Sequence, residues 1–209
     1  MSNNPTKTLK IESIARIRAG LSSRDIQNPF PMDDEIPLKM ISPSSLVSPF
    51  LSQIKGEKIS LPASSTTSRH LLEQNDIVTT SRGSFRVSIL DKSPEIMSEG
   101  YPLVAGPLCM VIRVNDDMRN EIHPAYLAWI LSTPVITAKI TSTGRGSAVL
   151  IFSRDSLASL EIPVPPYEQQ VKIAKAARHA TQLYDARRTE ASLEYSVTIE
   201  ELNQIVGLR

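Results

Sequence analysis

Hydrophobic positions along this chain fall into two regimes. As far as Pro166 they come in short runs parted by Pro, Gly, Ser and Asn; beyond it they recur three or four residues apart. In the first regime, Leu9, Ile11, Ile14 and Ile17 before Gly20 fit a short helix or a strand–turn start. Residues 21–36 read as a loop, Ile36–Ile41 as a strand, and Ser42–Ser45 as its end or a helical turn. Residues 47–62 are indistinct apart from a strand around Lys58–Leu61. Asn75-Asp76 predicts a turn into the β-branched strand Ile77–Thr80, a tight connection at Ser81–Ser84, and a return over Phe85–Leu90. Leu103–Val114 predicts one or two buried strands around Gly106-Pro107. Pro124–Leu131 has a helical apolar face with proline at its first turn, and Ile136–Ile140 predicts a second short helix. A polar loop over Thr141–Ser147, a strand over Ala148–Phe152 and a Ser153-capped helix ending near Leu160 complete this part.

Ile162-Pro-Val-Pro-Pro166 must be extended, because each proline disfavours helix for the residue before it. From Tyr167 to Val206 there is neither Gly nor Pro, and strong helix formers dominate. Ile173, Ala177, Ala180, Tyr184, Ala191, Tyr195, Thr198, Leu202 and Ile205 form a stripe along a helix of about 40 residues, some 60 Å long. A domain of this size cannot cover such a stripe, so the pattern calls for a partner helix. The competing reading folds it back as two helices with a turn at Asp185–Glu190. The expected organisation is a polar tail over 1–8, a domain over 9–164 and the helix over 165–209.

The 209 residues are 41% hydrophobic and 22% charged, which places the chain among ordinary globular proteins. One cysteine, Cys109, excludes an internal disulfide and a Cys-rich metal site, and suits a reducing cytoplasm. No apolar h-region opens the sequence and no run approaches the roughly 18 residues that span a bilayer, so the expectation is a cytoplasmic protein without a membrane association. The net charge of +1 neither advertises nor excludes a nucleic-acid partner, since local clustering decides that.

Enzyme signals are weak. His70, His123 and His179 stand outside any metal-ligand spacing, and there is no Walker A, dinucleotide fingerprint or nucleophile elbow. The acidic pairs Asp33–Glu35 and Asp116-Asp117 read as solvated turns. Catalytic residues and metal ligands are therefore expected to be none. What remains is a set of loops that join small hydroxyl residues to arginine. Ser81, Ser84, Thr141, Ser142, Thr143 and Ser147 suit phosphate contacts, with Gly144 allowing close backbone approach. Arg82, Arg86 and Arg145 are candidate base readers, with Arg24 and Lys39 added from neighbouring loops, because a guanidinium can bond a guanine edge twice.

Four segments carry a resemblance. Leu160-Glu-Ile-Pro-Val-Pro-Pro-Tyr-Glu-Gln169 with Val171-Lys-Ile-Ala174 resembles the junction in type I restriction–modification specificity subunits where a target-recognition domain passes into a long helix. Leu72-Glu-Gln-Asn-Asp-Ile-Val-Thr-Thr-Ser-Arg-Gly-Ser84 is similar to that family's Gly-Asp-Ile, strand, Arg-Gly element, with Asn75 in place of the usual glycine. Ile11–Gly20 resembles its opening segment, and Thr143-Gly-Arg-Gly-Ser147 its glycine loop.

The resemblance implies an α/β (α+β) target-recognition domain with a mixed, twisted sheet and short helices, followed by one long C-terminal α-helix. Full-length members carry two such domains and two helices, so it also implies a half-subunit. Two copies would pair their helices as an intermolecular antiparallel coiled coil and read a bipartite site on double-stranded DNA. The implied role is non-catalytic: the subunit directs an adenine methyltransferase, which binds S-adenosylmethionine, and in some complexes a restriction translocase, in a bacterial or archaeal cytoplasm. Two other readings stay open. One is a decoy that occupies the methyltransferase through the helix without reading DNA; the other is a detached recognition module of a methyltransferase–nuclease.

Overall fold

The computed structural model describes residues 6–26, 35–51, 53–54, 56–63, 65–144 and 149–207. In chain order the elements are β1 (Lys7–Lys10), α1 (Ile11–Ile14), β2 (Ala15–Ala19), α2 (Ser23–Ile26), β3 (Glu35–Ile41), β4 (Glu57–Pro62), α3 (Ser65–His70) and β5 (Ile77–Thr80). There follow β6 (Val87–Ile89), α4 (Pro94–Met97), β7 (Leu103–Ala105), β8 (Cys109–Val114), α5 (Pro124–Ser132), α6 (Pro134–Thr143), α7 (Arg154–Ala158), β9 (Glu161–Val164) and α8 (Tyr167–Ile205).

The central sheet is antiparallel, in the order β2-β8-β5-β6. Both faces of β8 are buried. Met110, Ile112 and Val114 enter one apolar cluster with Tyr126 and Leu131 of α5, while Cys109 and Val111 enter another with Leu46, Leu51 and Leu103. Burial on both sides explains why this strand reads as an unbroken apolar run rather than an alternation. The same burial pushes the Cys109 thiol up to about 12, which makes it an inert packing group.

A second sheet, β4-β3-β7, pairs β3 antiparallel to β4 and parallel to β7. The Leu103–Val114 run is thus two strands in two sheets, joined by a bend at Gly106-Pro107. Gly20 lies against that bend, where a Cβ would run into the carbonyl oxygens of Ala105 and Gly106; only glycine fits. The third sheet is the pair β1-β9, which brings the opening strand beside the one that leads into α8.

Helix α8 runs unbroken through 185–190, so the fold-back reading is excluded. It starts from a fixed seat. Gln170 is fully buried; its Nε2 donates to the carbonyls of Glu121 and Pro165, both at 2.8 Å, and its Oε1 accepts from the His123 backbone N–H at 2.9 Å. Ala174 is buried in the domain core, and Ile173 and Ala177 pack against it. Arg178 adds a contact one turn further on, 3.1 Å from Asp91 and over the Phe50 ring at 5.3 Å. From Gln182 to Gly207 every residue is exposed.

His123, in the seat, gives a pH dependence. Burial, and then the charge of Arg178, lower its pKa, and its Nδ1 is buried without a partner. The unfolded chain therefore takes up this proton first, near pH 6.5. Stability is complete above that value and is lost as pH falls from it toward the folded pKa. His123→Phe should flatten that part of a Tm-versus-pH curve. An unchanged acid loss in the variant would move the effect to His70, which burial and Arg18 also lower.

Candidate nucleic-acid interface

The β5–β6 connection is built to hold two arginines outward. Gly83 takes φ 81°, in the left-handed region that glycine occupies without strain. The Thr80 hydroxyl donates to the Ser84 carbonyl at 2.7 Å and accepts from the Arg86 N–H at 3.0 Å, which closes the turn. Exposure alternates through the segment: Arg82, Ser84 and Arg86 are exposed, while Ser81, Gly83 and Phe85 are half-buried. Arg82 has no side-chain partner among the described residues, whereas Arg86 Nη1 reaches the Pro43 carbonyl at 3.3 Å.

A second segment joins this turn. Gly83 N–H donates to the Leu150 carbonyl at 2.8 Å, Phe152 N–H donates to the Ser81 carbonyl at 2.9 Å, and Arg82 forms a bridge with Ile151. Phe85 and Phe152 meet edge-on, with ring centroids 5.4 Å apart. Gly144, at the end of α6, packs against Leu150 and Phe152. Two loops some sixty residues apart in sequence therefore form one ridge.

Several expected site residues lie elsewhere or are otherwise engaged. Arg145 and Ser147 fall outside the described residues. Thr141, Ser142 and Thr143 form the last turn of α6 rather than a loop, and their hydroxyls donate to the carbonyls of Thr137, Lys139 and Ile140 at 2.7–2.8 Å. Back-bonding of this kind lets a Ser/Thr run stay helical. In place of a strand over 148–152, the described residues hold only the single bridge at Ile151. Lys39 is not an available reader. It is buried on β3 with its Nζ 2.9 Å from Glu99, and a lysine taken out of water needs such a partner. Arg24 is exposed on α2, which packs against β4 of the second sheet.

Sequence reasoning missed a larger basic feature. A groove of about 550 Å³ lies along the open edge of β2, lined by Arg16, Arg18, Arg69, Arg113 and Arg154 with Glu12 and Asp155. Its floor is a tight ion-pair network. Asp76 is fully buried; its Oδ1 accepts from Arg113 Nε at 2.6 Å, and its Oδ2 accepts from Arg113 Nη2 at 2.7 Å and from the Glu73 N–H at 2.9 Å. Arg113 also bonds Glu73 at 2.5 Å. Arg18 sits 3.9 Å from Asp76 and donates to the His70 and Leu71 carbonyls. The legible signal was Arg16-Ile-Arg18, two cations at strand spacing on one face. Among the described residues no cluster of three His, Cys, Asp or Glu could hold a metal, and no helix is long and apolar enough to cross a membrane.

The family model described as the type I restriction modification DNA specificity domain matches residues 7–178. The chain belongs to that family. The matched span contains the β5–β6 ridge, the β2 groove and the seat of α8. Solved structures share the fold. The HsdS subunit from Thermoanaerobacter tengcongensis aligns over 96% of this chain and 43% of its own, with TM-score 0.58 and 13% identity. The type I restriction–modification S subunit from M. genitalium aligns over 98% of this chain and 44% of its own, with TM-score 0.53 and 16% identity. A chain described for the complex assembly and conformational transition of the type I R-M system gives TM-score 0.61 at 13% identity, over 96% and 44%. No curated protein matches the sequence significantly. This specificity-domain chain thus spans less than half the length of the solved chains it matches.

Proposed function

We propose that the chain is a sequence-specific DNA-recognition subunit of a type I-like restriction–modification system and performs no chemistry itself. The observation that carries this reading is the family match over residues 7–178, joined to a ridge on which the exposed Arg82 side chain has no partner among the described residues. In this reading Arg82, and Arg86 beside it, contact base edges, while Ser84 and the turn's backbone contact phosphate. An adenine methyltransferase that binds S-adenosylmethionine supplies the chemistry, and a restriction translocase joins in the full assembly.

The distal half of α8 supports a homodimer. Tyr184, Tyr195, Leu202 and Ile205 are each more than half exposed, and Ala191 is exposed among them. A second copy laid antiparallel covers this face and sets two recognition domains on a bipartite site.

The test is selection of duplexes from a random pool by the chain with its methyltransferase, followed by mapping of adenine methylation. A single bipartite consensus is expected. Methylation without sequence preference would sink the reading. Arg82→Ala is expected to relax one position of that consensus and weaken specific binding by about 1–3 kcal/mol, read by fluorescence anisotropy. An unchanged preference would remove Arg82 from the readers.

A further inference from the structure

We infer that the groove along the open edge of β2 is a phosphate-backbone clamp for duplex DNA, distinct from the base-reading ridge; the inference rests on the DNA-recognition reading above. Three elements send a guanidinium into this groove: Arg16 from β2, Arg69 from α3 and Arg154 from α7. All three are exposed, and none has a hydrogen-bond or ion-pair partner among the described residues. Of the two acids that line the groove, Glu12 is drawn to Lys10 at 3.6 Å.

The arrangement is costly as it stands. Arg16 lies directly opposite Arg113 in the β2–β8 register, and like charges in facing positions repel. Arg113 is neutralised by Asp76 and Glu73, whereas Arg16 has no ion-pair partner among the described residues. In a chain with net charge +1, this concentration of unpaired cations is a local feature rather than a general excess. An outside anion relieves the repulsion, and guanidinium groups suit phosphate because they donate in a planar fork.

Protection of the β2 edge against strand addition is the plainer reading, since charged side chains are a common device on sheet edges. It accounts for Arg16 and Arg18. It does not account for Arg69 and Arg154, which lie on helices and still converge on the same cavity.

Continuity with the ridge favours duplex DNA over a small anion. Arg154 follows Ile151 by three residues, and Ile151 bridges Arg82, so the Cα atoms of Ile151 and Arg154 lie within about 11 Å even if that stretch is fully extended. One duplex can therefore rest its backbone in the groove while Arg82 addresses its bases. The groove sets position and register; the ridge sets sequence.

The experiment compares the full chain with its Arg16→Gln, Arg69→Gln, Arg154→Gln triple variant on a labelled random-sequence duplex across a salt series, and on the selected consensus duplex. Loss of three phosphate contacts lowers the slope of log K against log salt by about 2–3 in magnitude. Binding to both duplexes should weaken by the same factor, leaving the preference between them unchanged. An unaltered slope overturns the clamp. So does a changed preference at constant slope, because that is the mark of base contacts. Arg154→Gln alone, with an expected slope change of about 1, keeps the test available if the triple variant folds poorly. Failure of the unaltered chain to prefer any duplex overturns the recognition reading instead, and this inference with it.

Discussion

Arg113→Ala is expected to destabilise the domain by about 3 kcal/mol. Asp76 is fully buried just before β5, and both its oxygens are held by the Arg113 guanidinium. With Arg113 truncated, the carboxylate keeps one backbone donor, Glu73 N–H, and Arg18 at 3.9 Å. Breaking a buried pair costs more than the pair contributes, because a charge is left in a site that cannot solvate it. Arg18 makes up part of the deficit, which puts the expectation at the lower end of the usual range. The comparison that isolates the mechanism is the double variant Asp76→Asn, Arg113→Met. It removes both charges and keeps the volume, so it should be markedly more stable than Arg113→Ala. Urea unfolding followed by circular dichroism reads both. A loss below about 1 kcal/mol for Arg113→Ala would show the pair to be a surface bridge in effect, since exposed pairs contribute no more than that.

The same network shows what the sequence could and could not convey. Arg113 interrupts an otherwise apolar strand, and a cation there has to be paired; that much is readable from Cys109–Val114 alone. Its partner is not, because Asp76 lies in a turn that looks solvated until β5 is laid beside β8. Strands β3, β5 and β8 were legible because both-sided burial leaves dense β-branched and aliphatic runs. Helix α8 was legible because forty residues without Gly or Pro admit little else. Errors arose where tertiary context overrides local character. Thr141, Ser142 and Thr143 resemble a loop in composition, yet Ile136 and Ile140 anchor the helix beneath them in the core, and the hydroxyls are absorbed by its own carbonyls. Lys39 looked free because Glu99 stands sixty residues away. The three open arginines of the groove are separated by more than fifty and eighty residues, so only the topology that sets α3 and α7 against the β2 edge reveals them as a group. The pairing of the Ser81–Arg86 turn with 150–152 is of the same kind: the turn was singled out, the other segment was read as a strand, and their union was not foreseeable.

Gln170 carries the second large expectation, and it concerns how the recognition domain holds its helix. The side chain satisfies three backbone groups at once: the N–H of His123 and the carbonyls of Glu121 and Pro165. Gln170→Leu fills about the same fully buried space and takes this partner from all three, at a cost of about 2–4 kcal/mol. Gln170→Glu separates packing from hydrogen bonding further. At neutral pH its carboxylate still accepts from His123 N–H but faces two carbonyls with no proton to give, so it should be less stable than the leucine variant. As pH falls the glutamate protonates and regains one donor, and the order of the two variants should narrow or reverse. The expected signature is local as well as global. Amide hydrogens in the first turns of α8 should exchange faster in both variants, while those of β5 and β8 change only as far as total stability falls. Equal acceleration in the sheet and in the helix start would mean that Gln170 is an ordinary core residue. Preferential loosening of the helix would mark it as the clasp that holds the start of α8 against the domain.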